Sequence, residues 1–199
     1  MTYSNRINLA IQAATRAHAG QFRRGSATPY IIHPYAVALI TQEYYRDENL
    51  FIAALFHDVL EDVPSRVYSA EDIEQAFGSD VLSLVQDVTE PLVNEHHRGT
   101  SWQERKTGYL DHLASLSIDP RPLVLSGADK IHNMTELLRS RSEIGPRVWK
   151  FFHAPPEREI WFFEAVYNIL AEKETPEQLL KDYRVLFDEL RQYVDDPVG

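Results

Sequence analysis

Helix-initiation signals recur along almost the whole chain, and no convincing stretch alternates apolar and polar residues as a half-buried strand would. Ser4 fits an N-cap for a first helix running to about Ala19, with Ile7, Leu9, Ile11 and Ala14 among its apolar positions. After the loop "GQFRRGSATPYIIHP", Pro34 suits the first turn of a helix over about 34–45, and a third helix is expected over 48–62. Ser69 and Asp72 have capping-box spacing for a short helix that ends at Phe77, where Gly78 breaks it. "SDVLSLVQDVTE" predicts a helix, "PLVNEHHRGTS" a loop, and 101–115 and 120–139 two more helices, the second begun by Pro120. Pro155 and Pro156 introduce "EREIWFFEAVYNILAEK", and "TPEQ" at 175–178 opens a last helix to about Val194. With no repeat or low-complexity linker between them, these signals predict one all-α domain spanning 1–199, in which the helices over 155–194 complete the fold.

At 199 residues the chain can bury a sizeable core, and 44% hydrophobic with 25% charged residues is the balance of a soluble globular protein. A net charge of −10 argues against wrapping nucleic acid or lying on an anionic membrane. A local basic cluster could still hold a small anionic ligand. The absence of Cys excludes disulfides and thiolate metal sites. No apolar run approaches the roughly 18–20 residues of a membrane span, and "MTYSNRINLA" lacks the basic-then-apolar order of a signal peptide, so a cytoplasmic location is expected. Two glycine-based phosphate signatures, G-x-G-x-x-G and G-x-x-x-x-G-K-[ST], are missing. Phosphate chemistry would therefore need a metal and arginines.

One segment stands apart from the ordinary helical pattern. In "FIAALFHDVLED" an uncharged run, Phe51–Phe56, leads straight into His57, Asp58, Glu61 and Asp62. On a continuous helix, at about 100° per residue, those four side chains would share an arc of about 140°. A solvated helix end is the plain reading, but the apolar run before it implies burial up to the first charge. So much negative charge on one face calls for a cation or shifted pKa values. "IIHP" sets His33 at a loop-to-helix junction, and "LVLSGADKIHNMTELL" embeds Asp129 and Asn133 in a second apolar helix at i, i+4 spacing. Together His33, His57, Asp58 and Asp129 form a mixed nitrogen and oxygen set suited to Mn, Fe or Zn, with Mn favoured by the carboxylate share. Arg105, Lys106, His96 and His97 read as solvated, His132 as a packing or supporting group, and the Trp161–Phe163 stripe as core.

"HDVLED" with a distant "ADKIHNM" resembles the HD-domain phosphohydrolases. More specifically, "HAGQFRRGSATPYIIHP", "AALFHDVLED", "FGSDVLSLVQDVT" and "GADKIHNM" resemble, in order, the hydrolase domain of RelA/SpoT-type alarmone enzymes, most closely over residues 8–138. The length is similar to that of the stand-alone small alarmone hydrolases. This resemblance implies about ten helices and a Mn²⁺-dependent removal of the 3′-pyrophosphate from (p)ppGpp, giving GDP or GTP. It also implies that His33, His57, Asp58 and Asp129 hold the metal, and that Glu61 and Asp62 activate or orient water. Arg23, Arg24, Asn133 and, less directly, Arg158 would contact the nucleotide. Arg24 stands where Lys is more usual, "EDVP" replaces the commoner "EDT", and the likeness loosens beyond residue 140. The alternatives are the same chemistry on (p)ppApp, another HD-domain nucleotide phosphohydrolase, or a non-enzymatic nucleotide- or partner-binding module.

Overall fold

In the computed structural model the described residues are 3–90, 101–116, 119–152, 154–173 and 175–195. They form α1 (Asn5–Ala17), α2 (Ile32–Tyr44), α3 (Glu48–Phe56), α4 (Val59–Asp62), α5 (Ala70–Phe77), α6 (Ser79–Val88) and α7 (Trp102–Ser115). After these come α8 (Arg121–Ile144), a 3₁₀ turn (Gly145–Phe151), α9 (Pro156–Glu172) and α10 (Glu177–Asp195). No strand occurs among the described residues, where the extended structure is a single bridge between Phe22 and Pro29. The all-α expectation holds. None of the helices, among the described residues, is long and apolar enough to cross a membrane. The loop expected over 91–101, with His96 and His97, lies outside the described residues except for Ser101.

Local chemistry accounts for most boundaries. The Ser4 side chain accepts from Ile7 N, Asp47 from Leu50 N, and both Ser69–Asp72 and Ser101–Glu104 form complete capping boxes. Such caps satisfy N–H groups that a helix start leaves unpaired, each worth about 1 kcal/mol. Two helices are buried on nearly all sides, as their sequences require. Every residue of α3 from Leu50 to Phe56 is buried, and so is every residue of α8 from Pro122 to His132. The contacts agree: α3 packs on α1, α2, α6 and α8, while α8 meets α2, α3, α6, α9 and α10. An apolar surface on all faces suits a helix at the centre of a bundle.

The third helix differs from its expected span of 48–62. It stops at Phe56, His57 and Asp58 form a turn, and α4 carries Glu61 and Asp62. The reason is local: His57 Nδ1 donates to Ala54 O at 2.8 Å, the carbonyl that an unbroken helix would offer to the Asp58 N–H. The common arc drawn for a continuous helix therefore does not apply. α8 also runs past 139 to Ile144, where Gly145 adopts φ 65° and a 3₁₀ turn follows that the sequence pattern does not signal.

Candidate metal centre

Three helical segments bring the candidate ligands together. His33 lies in the first turn of α2, His57 and Asp58 in the turn after α3, and Asp129 on the buried part of α8. Ligand atoms of His33, His57 and Asp58 lie within 4.8 Å of one another. His33 Nε2 is 3.2 Å from His57 Nε2, 3.4 Å from Asp58 Oδ2 and 3.1 Å from Asp129 Oδ1. His57 Nε2 is 3.1 Å from Asp58 Oδ2 and 3.8 Å from Asp129 Oδ1. Both histidines are almost fully buried.

The outward nitrogens are occupied, which leaves the inward ones to face the centre. A carbonyl can only accept, so His57 carries its proton on Nδ1 toward Ala54 O, and neutral His57 presents a lone pair at Nε2. His33 Nδ1 is 2.8 Å from His132 Nδ1. Burial, then the neighbouring His33, lower the His132 pKa to about 4, so His132 is neutral and can accept from His33. His132 thus stands behind His33, a candidate ligand. The cluster of His33, His57 and Asp58 suits a divalent ion, with each imidazole held from behind, and Asp129 Oδ1 adjoins both imidazoles.

Charge in the bare cluster is tightly coupled. Burial disfavours the His57 imidazolium, but Asp58 and Asp129 outweigh it and raise its pKa well above the ordinary value. Burial also opposes ionised Asp58, yet His57 and His33 hold its carboxyl well below the usual range. A divalent ion would compete with the protons on the imidazoles, since ligands bind deprotonated. Asp129 is held by two neighbours besides the histidines' field. Asn133 Nδ2 donates to its Oδ1 at 2.6 Å, and Lys130 Nζ lies 2.5 Å from its Oδ2.

Glu61 and Asp62 sit on α4 at the exposed side of the cluster. Glu61 accepts from the Glu90 backbone N–H at 2.7 Å, and the Glu90 carboxylate is paired with Lys106. Crowding by protein, then the charge of Asp58, push the Glu61 carboxyl up to about 7, against the opposing pull of the Glu90 N–H and the charge of Lys130. Asp62 is raised for the same two reasons. Lys106 is thus bound into the surroundings of Glu61, with its Nζ 4.4 Å from the Phe162 ring centroid, and not simply a solvated cation.

The basic loop joins this site at two points. The bridge between Phe22 and Pro29, with Arg23 N–H donating to Thr28 O, makes a narrow turn with Gly25 at φ 70° near its tip. The positive φ favours glycine at position 25, and a Cβ there would stand 2.7 Å from the Phe151 ring, which would have to swing aside. Arg23 Nη2 donates to Asn133 Oδ1 at 3.1 Å, and its guanidinium lies 5.5 Å from the Tyr30 ring centroid. Tyr30 in turn donates to Asp58 Oδ2 at 2.6 Å. Arg24 is exposed, and its charge acts on Asp62 and Glu159. Arg158 is exposed on α9, and no described side-chain contact ties it to the cluster.

Three neighbours escaped the sequence reading. Tyr30 and Lys130 stand inside the quoted motifs, but only the fold shows what they touch. Glu159 is buried one residue from exposed Arg158. It shares the i, i+3, i+4, i+7 face of Phe162, Phe163 and Val166, a periodicity that could have singled it out. Phe162 and Phe163 are core as expected, whereas Trp161 is 38% exposed. A separate cavity of about 500 Å³ lies behind α4, lined by Leu60, Val63, Tyr68, Ala70, Thr89 and Glu90 among others, and includes none of the four candidate ligands.

An all-α frame enclosing paired imidazoles and carboxylates defines a helical metal-site domain of the His-Asp type. The family described as HD domain matches residues 10–150, and the chain belongs to it. It is 37% identical over 128 residues to the guanosine-3′,5′-bis(diphosphate) 3′-pyrophosphohydrolase of Borreliella burgdorferi, covering 64% of this chain and 18% of that protein. The corresponding enzyme of Aquifex aeolicus is 30% identical over 207 residues, covering 96% of this chain and 28% of the relative. The chain thus spans less than a third of either curated relative. Among solved structures, a metazoan ortholog of SpoT that hydrolyzes ppGpp aligns with TM-score 0.73 and 28% identity, covering 95% of this chain and 98% of that one. A protein of Listeria monocytogenes EGD-e aligns with TM-score 0.65 and 26% identity, covering 83% of this chain and 99% of the other.

Proposed function

We propose that this chain is a Mn²⁺-dependent hydrolase that removes the 3′-pyrophosphate from (p)ppGpp, with residues 1–199 acting as one hydrolase domain. The observation that carries this reading is the convergence of His33 Nε2, His57 Nε2, Asp58 Oδ2 and Asp129 Oδ1, beside two further carboxylates and an arginine loop. The relatives named above support the substrate class. His33, His57, Asp58 and Asp129 would hold the ion, and the carboxylate share favours Mn²⁺. When bound, the ion supplies positive charge to phosphate oxygens and makes water more acidic.

The protein's own groups would do the rest. Glu61 and Asp62, on the open side of the cluster, accept the proton of the attacking water. Water oxygen bonds to the phosphorus attached to O3′ as the P–O3′ bond breaks, and O3′ takes up a proton. The products are GDP or GTP and pyrophosphate. The raised pKa of Glu61 brings its basicity nearer to neutrality, where a general base is most useful. Arg23, fixed between Asn133 and Tyr30, and Arg24 at the loop surface neutralise the diphosphates. Asn133 orients both Arg23 and Asp129. Arg158 would extend the nucleotide contact at the outer edge.

Product analysis with purified protein tests this. Mn²⁺-dependent release of pyrophosphate from ppGpp is the expected result, with ppApp and NADPH-like nucleotides compared in parallel. Preferred turnover of ppApp would move the substrate to the adenine alarmone. Orthophosphate from a nucleoside monophosphate would defeat the proposal, as would alarmone binding without any turnover.

A further inference from the structure

Lys130 is buried on α8, where an unpaired ammonium would be unfavourable. Its Nζ rests 2.5 Å from Asp129 Oδ2, 4.9 Å from the Tyr109 ring centroid and 5.5 Å from that of Phe162. Ring faces and a carboxylate together make a dry pocket tolerable for a cation. The other oxygen of the same carboxylate, Oδ1, is the one that approaches His33 and His57 and accepts from Asn133. Asp129 therefore divides its two oxygens: one faces the candidate ion position, the other a permanent cation.

We propose that Lys130 is a fixed counter-ion that keeps the bare site foldable and, for the same reason, weakens its hold on the divalent ion. This inference rests on the metal-centre reading above. Without an ion, Asp58 and Asp129 share a poorly hydrated space, and Lys130 neutralises one of them. With an ion present, an ammonium one carboxylate away repels it. Both effects are Coulombic, and they are one quantity: a change that destabilises the bare protein more than the loaded one tightens binding by the same factor. Asn133 still holds Oδ1 when the ammonium is gone, so the ligand's orientation does not depend on Lys130 alone.

The variants Lys130→Met, Lys130→Gln and Lys130→Arg separate charge from packing. Mn²⁺ would be titrated calorimetrically into chelator-stripped protein, and thermal unfolding recorded with and without Mn²⁺. Lys130→Met and Lys130→Gln are expected to bind Mn²⁺ at least about tenfold more tightly, or about 1.4 kcal/mol. Their Tm gain on adding Mn²⁺ should exceed that of the unmutated protein, while Lys130→Arg keeps nearly the original affinity. A Lys130→Met protein that folds only with Mn²⁺ supports the proposal. Unchanged or weaker Mn²⁺ affinity in Lys130→Gln, or equal Tm losses with and without Mn²⁺, overturns the counter-ion and leaves the metal centre intact. Failure of the unmutated protein to take up any divalent ion overturns both.

Discussion

Glu61 and Asp129 are both carboxylates, yet their surroundings differ, and so do the tasks proposed for them. Asp129 is buried between imidazoles, Lys130 and Asn133, whereas Glu61 stands on the exposed side with a backbone N–H behind it. Glu61→Gln and Asp62→Asn should lower kcat sharply with metal content unchanged, while His57→Ala and Asp129→Ala should lose the metal itself. Elemental analysis of the four purified variants decides; full occupancy in all of them removes the ligand assignment. Proton transfer to Glu61 requires its ionised form, so the rate should fall as pH drops through its pKa. With crowding raising that pKa from 4.5 toward about 7, the acid limb of kcat should lie between those values and disappear in Glu61→Gln. Glu159 gives a stability test away from the candidate ligands. Burial is the main cause of its rise from 4.5 to about 7, partly offset by Lys106 and Arg24. Between those pH values the folded protein binds more protons than the unfolded chain, so stability falls as pH rises through the window. Glu159→Gln should therefore gain on the order of 1–3 kcal/mol at pH 8 and little at pH 4.5. Denaturant midpoints at the two pH values would show it, and an equal change at both would contradict the burial argument.

At the scale of elements, short connections do as much as long helices. The turn between α3 and α4 exists because His57 takes the Ala54 carbonyl, and it aims His57 and Asp58 inward while α4 leaves Glu61 and Asp62 outside. Gly78 both ends α5 and precedes α6, at φ 91° and ψ 163°, a conformation nearly restricted to glycine. Nothing lies within 4 Å of a Cβ built there, so Gly78→Ala tests backbone strain alone. A loss of about 1–3 kcal/mol is expected in urea unfolding, with metal affinity unaffected. No loss would mean that the α5–α6 junction relaxes freely. Arg121 ties three segments at one place, bonding Asp119 beside it, Asp80 in the first turn of α6 and Asp47 at the cap of α3. That network fixes the N-terminal end of α8, ahead of its buried stretch.

The whole molecule carries a net charge of −10, while its proposed substrate is also strongly anionic. Long-range attraction is therefore unfavourable, and capture must depend on local cations. Arg23 is placed for this by Asn133 and Tyr30, and it reaches the cluster through both of them. Removing one charge-assisted phosphate contact costs about 1.5–3 kcal/mol, so Arg23→Ala should reduce kcat/KM roughly ten- to a hundredfold. Unchanged kcat/KM in both Arg23→Ala and Arg24→Ala would reduce the loop to solvated surface. The core is formed by α3 and α8 with their neighbours, and Lys130 already offsets part of the buried charge. Chelation should accordingly abolish turnover while leaving the far-ultraviolet circular dichroism helical. Unfolding on chelation would show that the ion, and not the core, holds the bundle together.

Ser4, Ser69 and Ser101 cap helices through bonds to residues three positions on, and Pro120 stands at the start of another, so the all-α class is legible from residues a few positions apart. His33, His57, Asp58 and Asp129 were recognisable as a set because metal-binding groups are unusual in apolar stretches. Their common centre depends on α2 and α8 meeting beside the turn after α3, contacts between residues 24 to 99 positions apart. Local pattern also extended the third helix through His57, since nothing in the sequence shows an imidazole displacing a backbone donor. Likewise Tyr30, Lys130 and Glu159 look ordinary in the chain. Only tertiary packing decides that the first bonds Asp58, the second pairs with Asp129 in an aromatic pocket, and the third is buried beside Lys106 and Arg24, because burial and electrostatic partners come from segments distant in sequence.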